Sequence, residues 1–204
     1  MNPRLLLSLD FERALRMAAQ GHRDQVRRGS GVPYIEHPLA VALILDRAGF
    51  DEEIVIAGLL HDLVEDTDIT LDQVSDQFGD RVAEIVGHCS ETKLDETGRK
   101  RPWIDRKRDH LAAVTRAPES ARAVILADKL HNLLCIQLDL GEGRPAWDTF
   151  HADRASVLWY QGSMIDACTT DNPALRRLGD ECRILLNRVS GEDVGNPRSD
   201  PEAP

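Results

Sequence analysis

Apolar residues recur along this chain at helical spacing, and the breaks between periodic stretches fall on glycine and proline. Phe11, Ala14, Leu15 and Ala18 mark one side of a helix running from about Phe11 to Arg27, with Asp10 placed to cap it. The run Arg28-Gly29-Ser30-Gly31-Val32-Pro33 breaks it. Pro38 suits the first turn of a second helix through Ala48, which puts His37 at its entrance and Gly49 at its stop. Ile54, Val55, Ile56, Ala57, Leu59 and Leu60 then form a stretch apolar nearly all round, as a core helix is, with Asp51 as its cap. Further helices are predicted from Thr70, over Asp80 to Glu91, over Glu119 to Leu140, over Ala146 to Phe150, over Asp153 to Ala167 and over Pro173 to Val189. The segment from Thr92 to Arg101 reads as a loop.

Composition agrees with an all-α chain. Period-2 strand runs are missing, aromatics are 4 %, and helix-favouring Leu, Ala, Arg, Asp and Glu dominate. With 204 residues and 42 % hydrophobic content, one domain of roughly eight to ten helices over residues 1–189 is expected. Residues 190–204, rich in Pro and Gly and lacking an apolar cluster, read as a disordered tail. A net charge of -10 argues against nucleic acid as a partner, and no apolar run approaches the roughly 20 residues that span a bilayer. The four cysteines form no CxxC, and the first nine residues hold no long apolar region, so reduced thiols and a cytoplasmic location are expected. Oligomeric state, monomer or homodimer, is left open.

The candidate chemistry clusters where the apolar runs end. His61, Asp62, Glu65 and Asp66 follow the core helix directly, with His61/Glu65 and Asp62/Asp66 at i, i+4 spacing. Asp128 and Asn132 share a face of a strongly apolar helix. A buried carboxylate is costly unless a cation meets it, although pairing of Asp128 with Lys129 or Arg122 at a surface edge is an alternative. His37 alone, before a proline, reads as a turn or cap residue. Together, His37, His61, Asp62 and Asp128 suit a divalent ion with open positions. Gly98 to Arg108 is the one basic block, either a solvated helix face or a phosphate-facing patch.

Three segments carry a resemblance. Arg28-Gly29-Ser30-Gly31-Val32-Pro33-Tyr34-Ile35-Glu36-His37-Pro38 resembles the RxxGxPYxxHP segment of Rel/SpoT hydrolase domains. His61-Asp62-Leu63-Val64-Glu65-Asp66-Thr67 resembles their HDxVEDT segment, and Leu126-Ala127-Asp128-Lys129-Leu130-His131-Asn132-Leu133 their LADKLxNL segment. The chain thus resembles the HD phosphohydrolase superfamily, and within it the stand-alone small alarmone hydrolases, including the metazoan SpoT homologues.

The resemblance implies an all-helical HD-domain bundle and a Mn²⁺-dependent 3′-pyrophosphohydrolase of (p)ppGpp. It implies His37, His61, Asp62 and Asp128 as metal ligands, Glu65 and Asp66 as the water-activating pair, and Arg28 and Asn132 as nucleotide contacts. Lys93, Arg99, Lys100 and Arg101 are added as candidate phosphate contacts from the basic loop. Gly29, where the family often has Lys, His131, where the metazoan form has Tyr, and the apolar Leu133 to Ile136 depart from the pattern at positions that shape the nucleotide pocket. Two other readings are a phosphohydrolase of another nucleotide, such as an NADPH 2′-phosphatase, and a non-catalytic alarmone-binding module. The intact pair Glu65/Asp66 argues against the second.

Overall fold

A computed structural model describes residues 7–191. The tail expected after residue 190 lies almost wholly outside them. The described residues form ten α-helices and one 3-10 turn, with isolated bridges Val26–Pro33 and Leu94–Lys100 in place of strands. The helices are α1 (Leu9–Gly21), α2 (Glu36–Ala48), α3 (Glu52–Leu60), α4 (Leu63–Asp66), α5 (Leu71–Phe78), α6 (Asp80–Cys89), α7 (Trp103–Val114), α8 (Glu119–Gly141), α9 (Arg154–Cys168) and α10 (Pro173–Ser190). Ala146–Thr149 is the 3-10 turn.

Two helices organise the rest. In α3 every residue from Ile54 to Leu60 is buried, as its unbroken apolar run requires. The long α8 packs against α2, α3, α6, α9 and α10, and buries Leu126, Ala127, Leu130 and Leu133 at its middle. Gly58 lets α3 approach α2: a Cβ there would stand 2.4 Å from Leu45 Cδ1. That approach brings the C-terminal end of α3 beside the entrance of α2, where His37 sits.

Several ends follow the expected signals. Asp51 accepts from Ile54 N, Thr70 and Gln73 form a reciprocal capping box, and Gly49 closes α2 at φ 85°. Others differ. Ser8, not Asp10, caps α1, and Asp10 instead pairs with Arg13 one turn on. Helix α1 stops at Gly21 rather than Arg27, and the glycine lets α4 pack against this end, since a Cβ there would stand 2.4 Å from Leu63 Cδ2. The core helix also ends at Leu60, and a separate short α4 carries Glu65 and Asp66. Helix α6 ends at Cys89, which frees Glu91 to turn inward.

Candidate active site

The entrance of α2, the end of α3 and the middle of α8 converge on one point. His37 Nε2 lies 3.1 Å from Asp128 Oδ1 and 3.5 Å from Asp62 Oδ2. His61 Nε2 lies 3.2 Å from Asp62 Oδ2 and 4.0 Å from Asp128 Oδ1. His37 and His61 are buried, and the carboxylates are nearly so. Burial favours the neutral imidazole at both histidines and prevails at His37. At His61 the neighbouring Asp62 and Asp128 outweigh it and push the ring up to about 9. Against the cost of burial, His61 holds Asp62 below the usual carboxylate range, and Lys129, followed by His37, does the same for Asp128. In the ion-free site His61 and the buried Lys129 thus offset the charge of the two carboxylates.

The donors fit a divalent cation. His61 Nδ1 lies 2.8 Å from Gly58 O, so it carries a proton and turns Nε2 to the centre, where that nitrogen becomes a donor once its own proton leaves. That Nε2 is buried and makes no well-aligned hydrogen bond among the described residues, although Asp62 Oδ2 lies 3.2 Å away, the geometry of a nitrogen suited to a cation. Two imidazoles and two carboxylates are a borderline-to-hard donor set. Supporting groups fix the carboxylates: Tyr34 Oη donates to Asp62 Oδ2 at 2.7 Å, and Asn132 Nδ2 donates to Asp128 Oδ1. Lys129 Nζ lies 2.7 Å from Asp128 Oδ2, so the Asp128–Lys129 pair weighed as a surface alternative exists in the interior. Arg122 instead donates to the carbonyls of Ala117 and Thr115.

Glu65 and Asp66 stand beside this centre, both held by Lys93. Lys93 Nζ is 3.1 Å from Glu65 Oε1 and 2.6 Å from Asp66 Oδ1, and it donates to Glu65 O at 3.0 Å. Glu65 Oε2 accepts from Glu91 N at 3.0 Å. Burial raises the Glu65 carboxyl above its ordinary value despite Lys93, as suits a group that accepts a proton near neutral pH.

Two neighbouring cavities lie at these groups. A polar chamber of about 190 Å³ is lined by His37, His61, Asp62, Glu65, Asp128 and Lys129. A cleft of about 640 Å³ is lined by Arg27, Arg28, Ser30, Arg144, Thr149 and Phe150, a volume in the range of small-ligand sites. Arg27, Tyr34, Asp66 and Asn132 line both. Arg28 reaches the cleft, and its Nη1 donates to His151 Nε2 at 2.6 Å. Arg99, Lys100 and Arg101 line neither cavity: Arg101 pairs with Asp109, and the bridge Leu94–Lys100 folds the loop on itself.

Sequence reasoning missed the layer behind Glu65. Glu91 is 5 % exposed and pairs with Arg106 at 3.0 Å and with Lys107. Lys107 also lies over the Tyr160 ring, 4.5 Å from its centroid. Burial opposes the charge on Glu91, but His110 and Lys107 hold it down to about 2. A carboxyl depressed in the folded state stabilises above its unfolded value of 4.5, and that stability is lost as pH falls through about 2. Glu91→Gln is therefore expected to cost about 3 kcal/mol at pH 7, with the gap to the parent closing as pH falls from 4.5 toward 2. Urea denaturation across that range checks it. A gap that stays constant with pH would assign the cost to packing alone. Arg27 was also missed: its Nη2 donates to Asn132 Oδ1 at 2.8 Å, linking the cleft to Asp128.

A helical bundle that closes two histidines and two aspartates on one buried point, with an acidic pair alongside, is the architecture of a metal-centred hydrolase of the HD class. The chain belongs to the HD domain family, whose profile matches residues 14–149. It is 42 % identical over 132 residues to the guanosine-3′,5′-bis(diphosphate) 3′-pyrophosphohydrolase MESH1 of Mus musculus, covering 63 % of this chain and 67 % of that protein. It is 43 % identical over 141 residues to the probable GTP pyrophosphokinase of Mycobacterium leprae, covering 64 % of this chain but only 16 % of that longer protein. A solved structure described as a metazoan ortholog of SpoT that hydrolyzes ppGpp superposes with a TM-score of 0.74 at 28 % identity, covering 92 % of this chain and 98 % of that one.

Proposed function

We propose that this chain hydrolyses the alarmone (p)ppGpp at its 3′ position, releasing pyrophosphate and leaving GDP or GTP. The observation that carries the reading is the junction of the two cavities. A metal-type centre and a cleft of nucleotide size lined by arginines share Arg27, Tyr34, Asp66 and Asn132 as walls. The names of the relatives point to the same substrate.

In this reading His37, His61, Asp62 and Asp128 hold one Mn²⁺. When bound, it lowers the pKa of an attacking water and polarises a phosphoryl oxygen. Glu65 takes the proton of that water; its raised pKa and its position beside the centre serve this role. Asp66, ion-paired to Lys93, is an acceptor and orients the water. Arg27, Arg28 and Asn132 hold the nucleotide in the cleft, and Lys93 holds the acidic pair Glu65 and Asp66 in place. Arg99, Lys100 and Arg101, facing away from both cavities, are expected to leave KM unchanged when neutralised together, at low and at moderate ionic strength. A raised KM would return them to the phosphate site. The protein works in the cytoplasm as a monomer or homodimer, without nucleic acid or membrane. No described helix is long and apolar enough to cross a bilayer.

The test is a nucleotide panel offered to the Mn²⁺-loaded protein, with pyrophosphate and phosphate release measured separately. Pyrophosphate from ppGpp and pppGpp is expected. Phosphate from NADPH with none from ppGpp would replace the substrate while keeping the centre. Binding of ppGpp without any release would make the chain an alarmone-binding module.

A further inference from the structure

A second group of metal-type donors stands outside the centre described above. Glu36, His131 and Cys135 place a carboxylate oxygen, an imidazole nitrogen and a sulfur within 4.8 Å of one another. His131 and Cys135 are one turn apart on α8, with Cys135 Sγ 3.7 Å from His131 Nε2. Glu36 opens α2, and its Oε1 lies 3.1 Å from the same Nε2. Glu36 and Cys135 line the large cleft, so an ion can enter from there. This donor set differs in kind from the inner centre. The inner centre is nitrogen and oxygen only; here a sulfur joins one nitrogen and one oxygen, the softer combination that selects Zn²⁺ and its like.

Arg27 is the group that opposes a cation, since its guanidinium lies against Cys135. Its charge favours the thiolate, but burial outweighs it and keeps the Cys135 thiol above its ordinary value. An entering ion must displace the thiol proton, so affinity rises with pH.

We propose that Glu36, His131 and Cys135 form a second metal site, for a thiophilic divalent cation such as Zn²⁺, and that filling it weakens cation binding at His37. The coupling passes through one imidazole. His131 Nδ1 lies 2.8 Å from His37 Nδ1, and only one proton fits between them. A cation on His37 Nε2 puts that proton on His37 Nδ1, so His131 Nδ1 accepts and His131 Nε2–H donates to Glu36. A cation on His131 Nε2 needs that lone pair instead. The His131 proton then moves to Nδ1, His37 Nδ1 must accept, and the His37 proton moves to Nε2, where it blocks the inner ion. The two sites therefore disfavour each other, and the penalty is the same in both directions. This coupling, unlike the site itself, rests on the reading of His37 as a cation ligand.

The experiment uses the full chain under reducing conditions with Cd²⁺ as the probe, because thiolate–cadmium absorption reports only an ion bound to sulfur. A saturable absorption is expected in the parent and in Cys89→Ser, which removes the thiol lining the inner chamber, and is expected to vanish in Cys135→Ser. Mn²⁺ affinity is then measured by equilibrium dialysis. Parent affinity without Cd²⁺ tests the inner centre by itself. Direct displacement by Cd²⁺ at the inner centre is common to parent and Cys135→Ser, so the excess loss in the parent reports the coupling, expected to be at least about fivefold. Absorption that is absent or that survives Cys135→Ser overturns the site. Equal losses of Mn²⁺ affinity in parent and variant overturn the antagonism.

Discussion

Glu65→Gln is expected to lower kcat by about 10²–10⁴-fold, the usual cost of losing a general base, while metal content and Tm stay near those of the parent. The expectation follows from what surrounds the side chain. Glu65 Oε2 accepts from Glu91 N and Oε1 faces Lys93, and a glutamine oxygen can keep one of these contacts. The carboxyl already resists ionisation through burial, so a neutral isostere costs the fold little. What the amide cannot do is take a proton. A second signature separates a base from a structural role. The acid limb of kcat/KM in the parent should lie above the ordinary carboxylate value of 4.5, and should disappear in the variant's residual activity. Near-parent kcat with metal bound would remove Glu65 from the proton path.

The parts of the site that were legible in the sequence are those written in short local segments. His61, Asp62, Glu65 and Asp66 sit together after an apolar run, and Asp128 and Asn132 are one turn apart on one helix. Helix spacing alone places such residues. Helix starts were legible where a side chain caps its own helix, as Asp51 and Thr70 do. What was not legible depends on contacts between segments. Helix-forming residues run on past Gly21, and only the fold shows that α1 stops there and that Leu63 of α4 packs against its end. Glu91 looks like one more surface acid until α7 brings Arg106 and Lys107 against it. The motif singles out Arg28, but only the fold brings its neighbour into the site: Arg27 turns to Asn132 and Arg28 to His151. The basic loop failed in the same way. Its charge is plain in the sequence, but the fold turns Arg101 to Asp109 and leaves only Lys93 at the acidic pair.

Loss of one inner ligand is expected to abolish both metal binding and turnover. The choice of substitution matters because the ligands also carry the local charge balance. Asp128→Ala would leave Lys129 buried without its partner 2.7 Å away, a change that alone can cost about 3–5 kcal/mol. Asp128→Asn keeps one acceptor oxygen, enough for Lys129 or Asn132 but not for both, and fills the same volume while removing the charged ligand, so it is the milder probe. His61→Ala is the complementary one. It removes the imidazole whose Nε2 faces Asp62 and Asp128, and it leaves the Gly58 carbonyl without its donor. Metal analysis after dialysis should find about one Mn²⁺ in the parent and none in either variant. Excess Mn²⁺ at about 100 times its Kd should raise the parent's stability by about 2.7 kcal/mol, a gain that a chelator reverses and that neither variant shows. A variant that keeps the parent's stoichiometry and its Mn²⁺-dependent gain in stability would exclude that residue as a ligand, whatever happens to activity.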